Sequence, residues 1–277
     1  MRLPTDCRAI IAGFIQHRVA DAGASGVVLG LSGGIDSATA LAIAIEALGA
    51  EAVYGLLLPH GETVSTGMAA AHAAALAVET REVDIAPLAS TFGDATPFFE
   101  SREQQGNLRA RLRMVLLYGA AAERGALVLG TSNKSELLTG YYTKWGDGGA
   151  DLLPLGDLYK SQVQLLATAL GVPAAIRERP PTAELWEGQT DEGELGLPYA
   201  QLDQLLAALE RHDSPAKMVA RGVPEADAAR VAALVQRSIH KRIFPPVCKL
   251  GRRTVGIDWR ETTGVRRRPV KATYNVS

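Results

Sequence analysis

At about 150 residues per domain, 277 residues form one large domain or two small ones. A composition of 47% hydrophobic and 21% charged residues excludes a disordered, collagen-like or coiled-coil chain. The 29 Lys and Arg against 30 Asp and Glu leave a net charge of −1, which gives no global reason to expect nucleic acid or an anionic membrane as partner.

The N-terminal segment AIIAGFI, residues 9–15, imitates a signal sequence, but it is short and flanked by Asp6, Arg8, His17 and Arg18. Ile10, Ile11, Phe14, Ile15 and Val19 recur at helical spacing, so the segment reads as a helix with one apolar face, either core or interface. No apolar run reaches the ~18 residues of a spanning helix. Cys7 and Cys248 stand alone, without CxxC or a His cluster, so no disulfide framework, zinc site or thiol relay is expected and a cytoplasmic setting fits.

The chain then alternates. Strands are expected at 26–31, 52–58, 80–85 and 126–129, and helices at 37–48, 62–78 and 109–123. Such alternation builds an α/β fold, a parallel sheet with helices on both faces, whose ligands bind at the carboxyl ends of the strands. Residues 140–157 hold five glycines and three aspartates without apolar period, a loop too long for a plain connector. Helices follow near 160–170, 199–211 and 225–240. No internal repeat interrupts the pattern, and residues 1–264 are expected to form a single domain. From Arg237 to Ser277, eleven basic residues face two acidic ones. The end of this stretch, 265–277, reads as a basic tail, with a solvated terminus favoured over anion binding.

The most informative stretch is GLSGGIDS: Gly30, Leu31, Ser32, Gly33, Gly34, Ile35, Asp36 and Ser37. It leaves a buried strand and opens a helix, so converging backbone N–H groups and the helix N-terminus cradle a phosphate. Ser32 and Ser37 add hydroxyls. The turn lacks the Lys of a G-x-x-x-x-G-K-[ST] loop and is not built for terminal phosphoryl transfer. Asp36 beside phosphates would repel them unless Mg²⁺ lies between.

SGGIDS resembles the SGGxDS loop of the ATP pyrophosphatases, which cleave ATP between its α and β phosphates. Downstream, GNLRARLRM (106–114), GTSNKSE (130–136), GYYTKWGDGGADLLPLGDLYK (140–160), RPPTAELWEGQTDEGELGLPY (179–199) and IHKR (239–242) are similar, in order and spacing, to ammonia-dependent NAD synthetases. The resemblance covers nearly the whole chain. It implies a Rossmann-like, adenine nucleotide alpha hydrolase-like sheet and an ATP-dependent amidation of deamido-NAD by ammonia, giving NAD, AMP and pyrophosphate through an adenylated carboxylate.

By the same matching, Asp36 and Glu136 are the implied Mg²⁺ ligands, and Thr131, Lys160 and Thr182 join the loop in holding ATP. Thr131 is equally a helix N-cap by its residue type. Arg111, Lys144, Asp151, His240 and Lys241 are the implied deamido-NAD contacts, the cations suiting a pyrophosphate and a carboxylate. Asp147 is a candidate for orienting or deprotonating the incoming nitrogen, or else a turn-stabilising Asp. Tyr141, Tyr142 and Trp145 stack on a ring or bury the loop ends. The family also implies a homodimer with the dinucleotide at the subunit interface.

Two other readings compete. A tRNA-modifying ATP pyrophosphatase would account for the basic end but needs paired sulfur-handling cysteines. A non-catalytic ATP-binding module would have no use for metal ligands together with a substrate loop. Ammonia rather than glutamine is expected as the nitrogen source, because neither cysteine has the base and oxyanion turn that amide hydrolysis requires.

Overall fold

The computed structural model describes residues 1–61, 63–182, 188–255 and 257. The chain divides into two compact units, Met1–Arg242 and Ile243–Ser277, each described by itself. The first opens with α1 (Cys7–Ala22) and alternates through β1 (Val27–Gly30), α2 (Ile35–Leu48), β2 (Val53–Leu57), α3 (Val64–Ala75), β3 (Glu79–Glu82), α4 (Ala86–Ala95), α5 (Arg102–Arg124) and β4 (Leu127–Val128). Helices complete it: α6 (Lys134–Thr139), α7 (Lys160–Ala169), α8 (Ala174–Arg177), α9 (Asp191–Leu195), α10 (Tyr199–Glu210), α11 (Pro215–Ala220), α12 (Glu225–Arg237) and α13 (Ile239–Arg242).

The four strands lie in the order β3-β2-β1-β4, all parallel, with Val27 opposite both Val53 and Leu127. Successive strand residues point to opposite faces, and the burial follows. Val27, Leu29, Val53 and Leu57 pack into one core with residues of α1, α2, α3 and α7. Val28, Tyr54, Leu56 and Val128 pack into another with Ala121 of α5. Helices therefore cover both faces, as the alternation predicted. Only β3 is polar throughout, its residues Glu79, Thr80, Arg81 and Glu82 all exposed at the sheet edge.

The other edge is blunted. β4 has only two residues, and beyond it Leu129 makes a parallel bridge to Leu152, so the glycine-rich segment 140–157 returns to the sheet instead of looping away from it. The helices between β3 and β4 depart from the sequence expectation. α5 starts at Arg102, seven residues before the expected 109, because Ser101 and Gln104 form a reciprocal capping box that launches a helix whose first turns are polar. α4 buries no residue, so no apolar period announced it. In α1 the apolar residues divide: Ile11, Ile15 and Val19 are buried while Ile10 and Phe14 remain 55% and 36% exposed.

The second unit has no named helix or strand among its described residues. Phe244, Pro246, Val247 and Ile257 line a small hollow there, and Cys248 is exposed. The expected tail 265–277 lies outside the described residues.

Candidate active site

The turn after β1 closes on itself through its own small residues. Gly33 holds φ at +77°, and a Cβ there would stand 2.3 Å from the Ser65 carbonyl oxygen, so this position needs glycine on both counts. The Ser32 hydroxyl lies 3.1 Å from that of Ser37 and accepts from Gly34 N–H at 3.2 Å, while Ser37 donates to the Gly34 carbonyl at 3.0 Å. The first intrahelical bond of α2 runs from Ala38 N–H to the Gly34 carbonyl. The N–H groups of Ile35, Asp36 and Ser37 therefore have no intrahelical acceptor, which makes this helix start an anion cradle. Gly30, Leu31, Ser32, Gly34, Ile35, Asp36 and Ser37 all line one cavity, and Gly33 shapes the turn beneath it.

Thr131, Glu136, Asp147, Lys160 and Thr182 line that same cavity. Residues distant in sequence meet here through the parallel sheet, since the ends of β1 and β4 are neighbours. Asn133, fully buried, caps α6 by accepting from Glu136 N–H at 3.1 Å, and its own N–H donates to the Glu136 carboxylate at 3.1 Å. The cap is thus Asn133 and not Thr131. Asn133 Nδ2 also donates to Asp36 Oδ1 at 3.0 Å, so one residue orients both carboxylates, Glu136 through its backbone N–H and Asp36 through its side chain. The Lys160 ammonium bonds Asp36 Oδ2 and lies 3.5 Å from Glu136 Oε1. It also stands 5.2 Å from the centre of the Tyr199 ring.

The charges here do not balance. Burial alone would depress the Lys160 pKa, but Asp36 and Glu136 together outweigh it and hold the ammonium above its ordinary value. Glu136 is raised well above the carboxylate range, first by burial and then by Asp36, despite the opposing pull of Lys160. Asp191, 5% exposed, adds a third carboxyl; burial raises it too, and its Oδ1 is buried without a partner. The Lys160 ammonium is outnumbered by the carboxyls around it, although Arg113 and Arg179 also line the cavity. A divalent cation held by one or two carboxylates and by substrate phosphates is the ordinary remedy, and the donor set of hard oxygens fits Mg²⁺.

Around the glycine-rich segment, four expected residues gather. Arg111 of α5 donates to the Lys144 carbonyl at 3.3 Å, and Lys144 donates to the His240 carbonyl at 2.6 Å. Lys241 donates to the carbonyls of Gly140 and Tyr142, each at 2.7 Å. Asp151 is placed differently, since Tyr118 donates to its Oδ1 at 3.1 Å and Val128 N–H to its Oδ2 at 2.8 Å, a strut beside β4. Asp147 joins the two regions. It lines the cavity, accepts from Thr143 N–H at 2.8 Å, and interacts electrostatically with Lys241. Although the residue retains exposure, withdrawal of water around its carboxyl raises its pKa.

The family model for NAD synthase matches residues 8–245. The chain belongs to the NAD synthase family. It is 43% identical over 254 residues to the NH(3)-dependent NAD(+) synthetase of Chlorobium phaeovibrioides, covering 91% of each chain. The solved NH3-dependent NAD synthetase of Campylobacter jejuni aligns with a TM-score of 0.76 at 31% identity, over 88% of this chain and 98% of that one. A solved NMN synthetase from Francisella tularensis aligns at 0.79 and 34% identity, over 89% and 99%.

Two residues of this NAD synthase site escaped the sequence reading. Asn133 lies inside GTSNKSE, and the N-x-x-E spacing to Glu136 is a capping-box signal that predicts its local role but not its reach to Asp36. Asp191 follows Thr190, whose hydroxyl caps α9. An acidic first turn ordinarily reads as a solvated partner of the helix dipole.

Proposed function

We propose that this chain amidates deamido-NAD with ammonia at the expense of ATP, releasing AMP and pyrophosphate, and that the cavity over the β1–α2 turn is where the carboxylate is adenylated. The observation that carries this reading is the convergence of Asp36, Glu136 and Lys160 at the mouth of a phosphate cradle. Asp36 and Glu136 would hold Mg²⁺. Bound there, the ion supplies Lewis-acid stabilisation of charge on the phosphate oxygens.

The chain's own groups account for the other demands. The N–H groups opening α2 bind the pyrophosphate portion, and Ser32 and Ser37 hold the turn in shape for it. Lys160 adds a fixed cation where charge develops when the nicotinate carboxylate attacks the α-phosphate. Thr131 and Thr182 flank the nucleotide. Asp147, its pKa raised by desolvation, is suited to take a proton from ammonium before the nitrogen attacks the acyl adenylate. Arg111, Lys144, His240 and Lys241 meet the dinucleotide's anionic groups, and Asp151 fixes the glycine-rich segment that carries Lys144. These residues are only partly covered within one chain, which favours a homodimer that completes the pocket. No described helix is long and apolar enough to cross a membrane, and we place the enzyme in the cytoplasm on its cysteine usage.

The test is pyrophosphate release and NAD formation by the purified chain given ATP, Mg²⁺, deamido-NAD and ammonium. Both products are expected in equal amounts. Turnover of nicotinate mononucleotide with none of the dinucleotide would move the reading to the product named for the Francisella neighbour. Release of neither product would sink it.

A further inference from the structure

Behind the cavity, and outside its lining, lies a carboxylate that neither the motifs nor the chemistry above assigns. Asp203 of α10 is 0% exposed. Its Oδ1 accepts from the Ser135 hydroxyl at 2.5 Å and its Oδ2 from Ser161 N–H at 2.8 Å. The Ser135 hydroxyl in turn accepts from Lys160 N–H at 2.9 Å. One buried side chain is therefore tied, directly or through a single hydroxyl, to residues 135, 160 and 161.

Those positions are the neighbours of the groups that matter. Ser135 precedes Glu136 in the first turn of α6, and Lys160 and Ser161 open α7. A buried carboxylate is expensive to desolvate, and this one is stabilised by donors and by the positive end of α7. A Ser, Thr or Asn at 203 would cap α7 without burying charge. What the carboxylate provides beyond a cap is two acceptors at fixed separation, one directed to each helix start. The side chains of Glu136 and Lys160 meet 3.5 Å apart, in front of this pair.

We propose that Asp203 is a positioning residue that sets the spacing of Glu136 and Lys160, and through it the fit of the Mg²⁺–triphosphate, without touching either substrate. This rests on the assignment of Glu136 to the metal and Lys160 to ATP made above. Outer partners that orient metal ligands typically change affinity or activity about 10–100-fold when removed. The effect must fall on metal and ATP and spare the dinucleotide, because Arg111, Lys144 and His240 are held by other contacts.

The experiment compares the wild-type chain with Asp203→Asn, Ser135→Ala and a stability control, Val231→Ala, which trims a fully buried core residue of α12. Mn²⁺ affinity is measured with α,β-methylene-ATP present, alongside the KM values for ATP and deamido-NAD and the Tm. Asp203→Asn and Ser135→Ala are expected to weaken Mn²⁺ binding and raise the ATP KM by roughly tenfold or more, with the deamido-NAD KM within about twofold of wild type. Val231→Ala should lower Tm while leaving Mn²⁺ affinity and ATP KM unchanged. If Asp203→Asn does not fold, Ser135→Ala decides, because it keeps the Asp203–Ser161 bond. Wild-type values in the variants, or an equal shift in Val231→Ala, overturn the proposal. An inactive wild type instead overturns the function reading, and the role of Asp203 falls with it.

Discussion

At the scale of single residues, the excess of carboxylate around Lys160 gives two substitutions opposite effects on stability. Lys160→Met leaves Asp36 and Glu136, whose side chains are 17% and 15% exposed, without their cation, and breaking a largely covered pair in this way costs about 3 kcal/mol. Glu136→Gln removes a group that burial and Asp36 already disfavour, so its Tm should stay at or above wild type while adenylation falls by at least about 100-fold. Thermal unfolding and pyrophosphate release on both variants check this; a Tm that drops equally in the two would refute the carboxylate excess. Asp36 was legible in the sequence because loop, strand and helix start coincide in eight residues. Glu136 and Lys160 became visible only through the family resemblance, since nothing local says that β1 and β4 are neighbours. Asn133 and Asp191 were missed because burial of a polar side chain follows no period.

His72 offers a pH test. It is buried on α3 with Nε2 unpartnered, and burial lowers its pKa against a weaker opposing pull from the Ala38 backbone. The fold therefore keeps it neutral, whereas the unfolded chain protonates it near pH 6.5. Its contribution is present above that pH and lost as the pH falls below it, because the unfolded state then binds the extra proton. Tm should decline from pH 7 to pH 5, and His72→Met should flatten that decline. An identical pH dependence in the variant would remove His72 as the cause.

At the scale of elements, Gly33 links the turn to α3. Gly33→Ala forces a residue with Cβ into left-handed backbone, costing about 1–2 kcal/mol, and drives that carbon into the Ser65 carbonyl. The turn must shift away from α3, so the ATP KM should rise more than the deamido-NAD KM. Steady-state kinetics on the folded variant would show it, and equal rises in both would place the defect elsewhere. The periodic elements were readable to within a few residues: α2, α7 and α10 carry apolar faces and end near the expected positions. Among those that escaped, α4 buries no residue, and the first turns of α5 are launched by a capping box rather than by a hydrophobic stripe. Leu152 escaped for another reason. A single bridging residue within a glycine-rich segment has no pattern of its own.

At the scale of the whole molecule, the proposed homodimer can be tested directly, the exposed Ile10 and Phe14 being apolar surface for a second copy to cover. Sedimentation should give twice the 29.3 kDa of the chain at micromolar concentration. Full activity at the mass of one chain would exclude the dimer. The nitrogen source can be tested on the same preparation. Cys7 is buried with its thiol pKa raised by desolvation, the reverse of an activated nucleophile. Glutamine in ammonia-free buffer should therefore give no NAD, and a rate comparable to that with ammonium, lost in Cys7→Ala or Cys248→Ala, would overturn this expectation.

The polar edge strand β3 has a consequence for life at high concentration. Its outer edge pairs with no strand among the described residues, so it is a template on which an extended peptide could add a strand, and the exposed Glu79, Arg81 and Glu82 discourage it. Arg124 strengthens that guard by pairing with Glu79 while lying over the Tyr54 ring. Replacing Glu79 and Arg81 with valine leaves the distant catalytic groups in place, so the early sign of damage would be turbidity on crowding, with each surviving soluble molecule still making product at its normal rate.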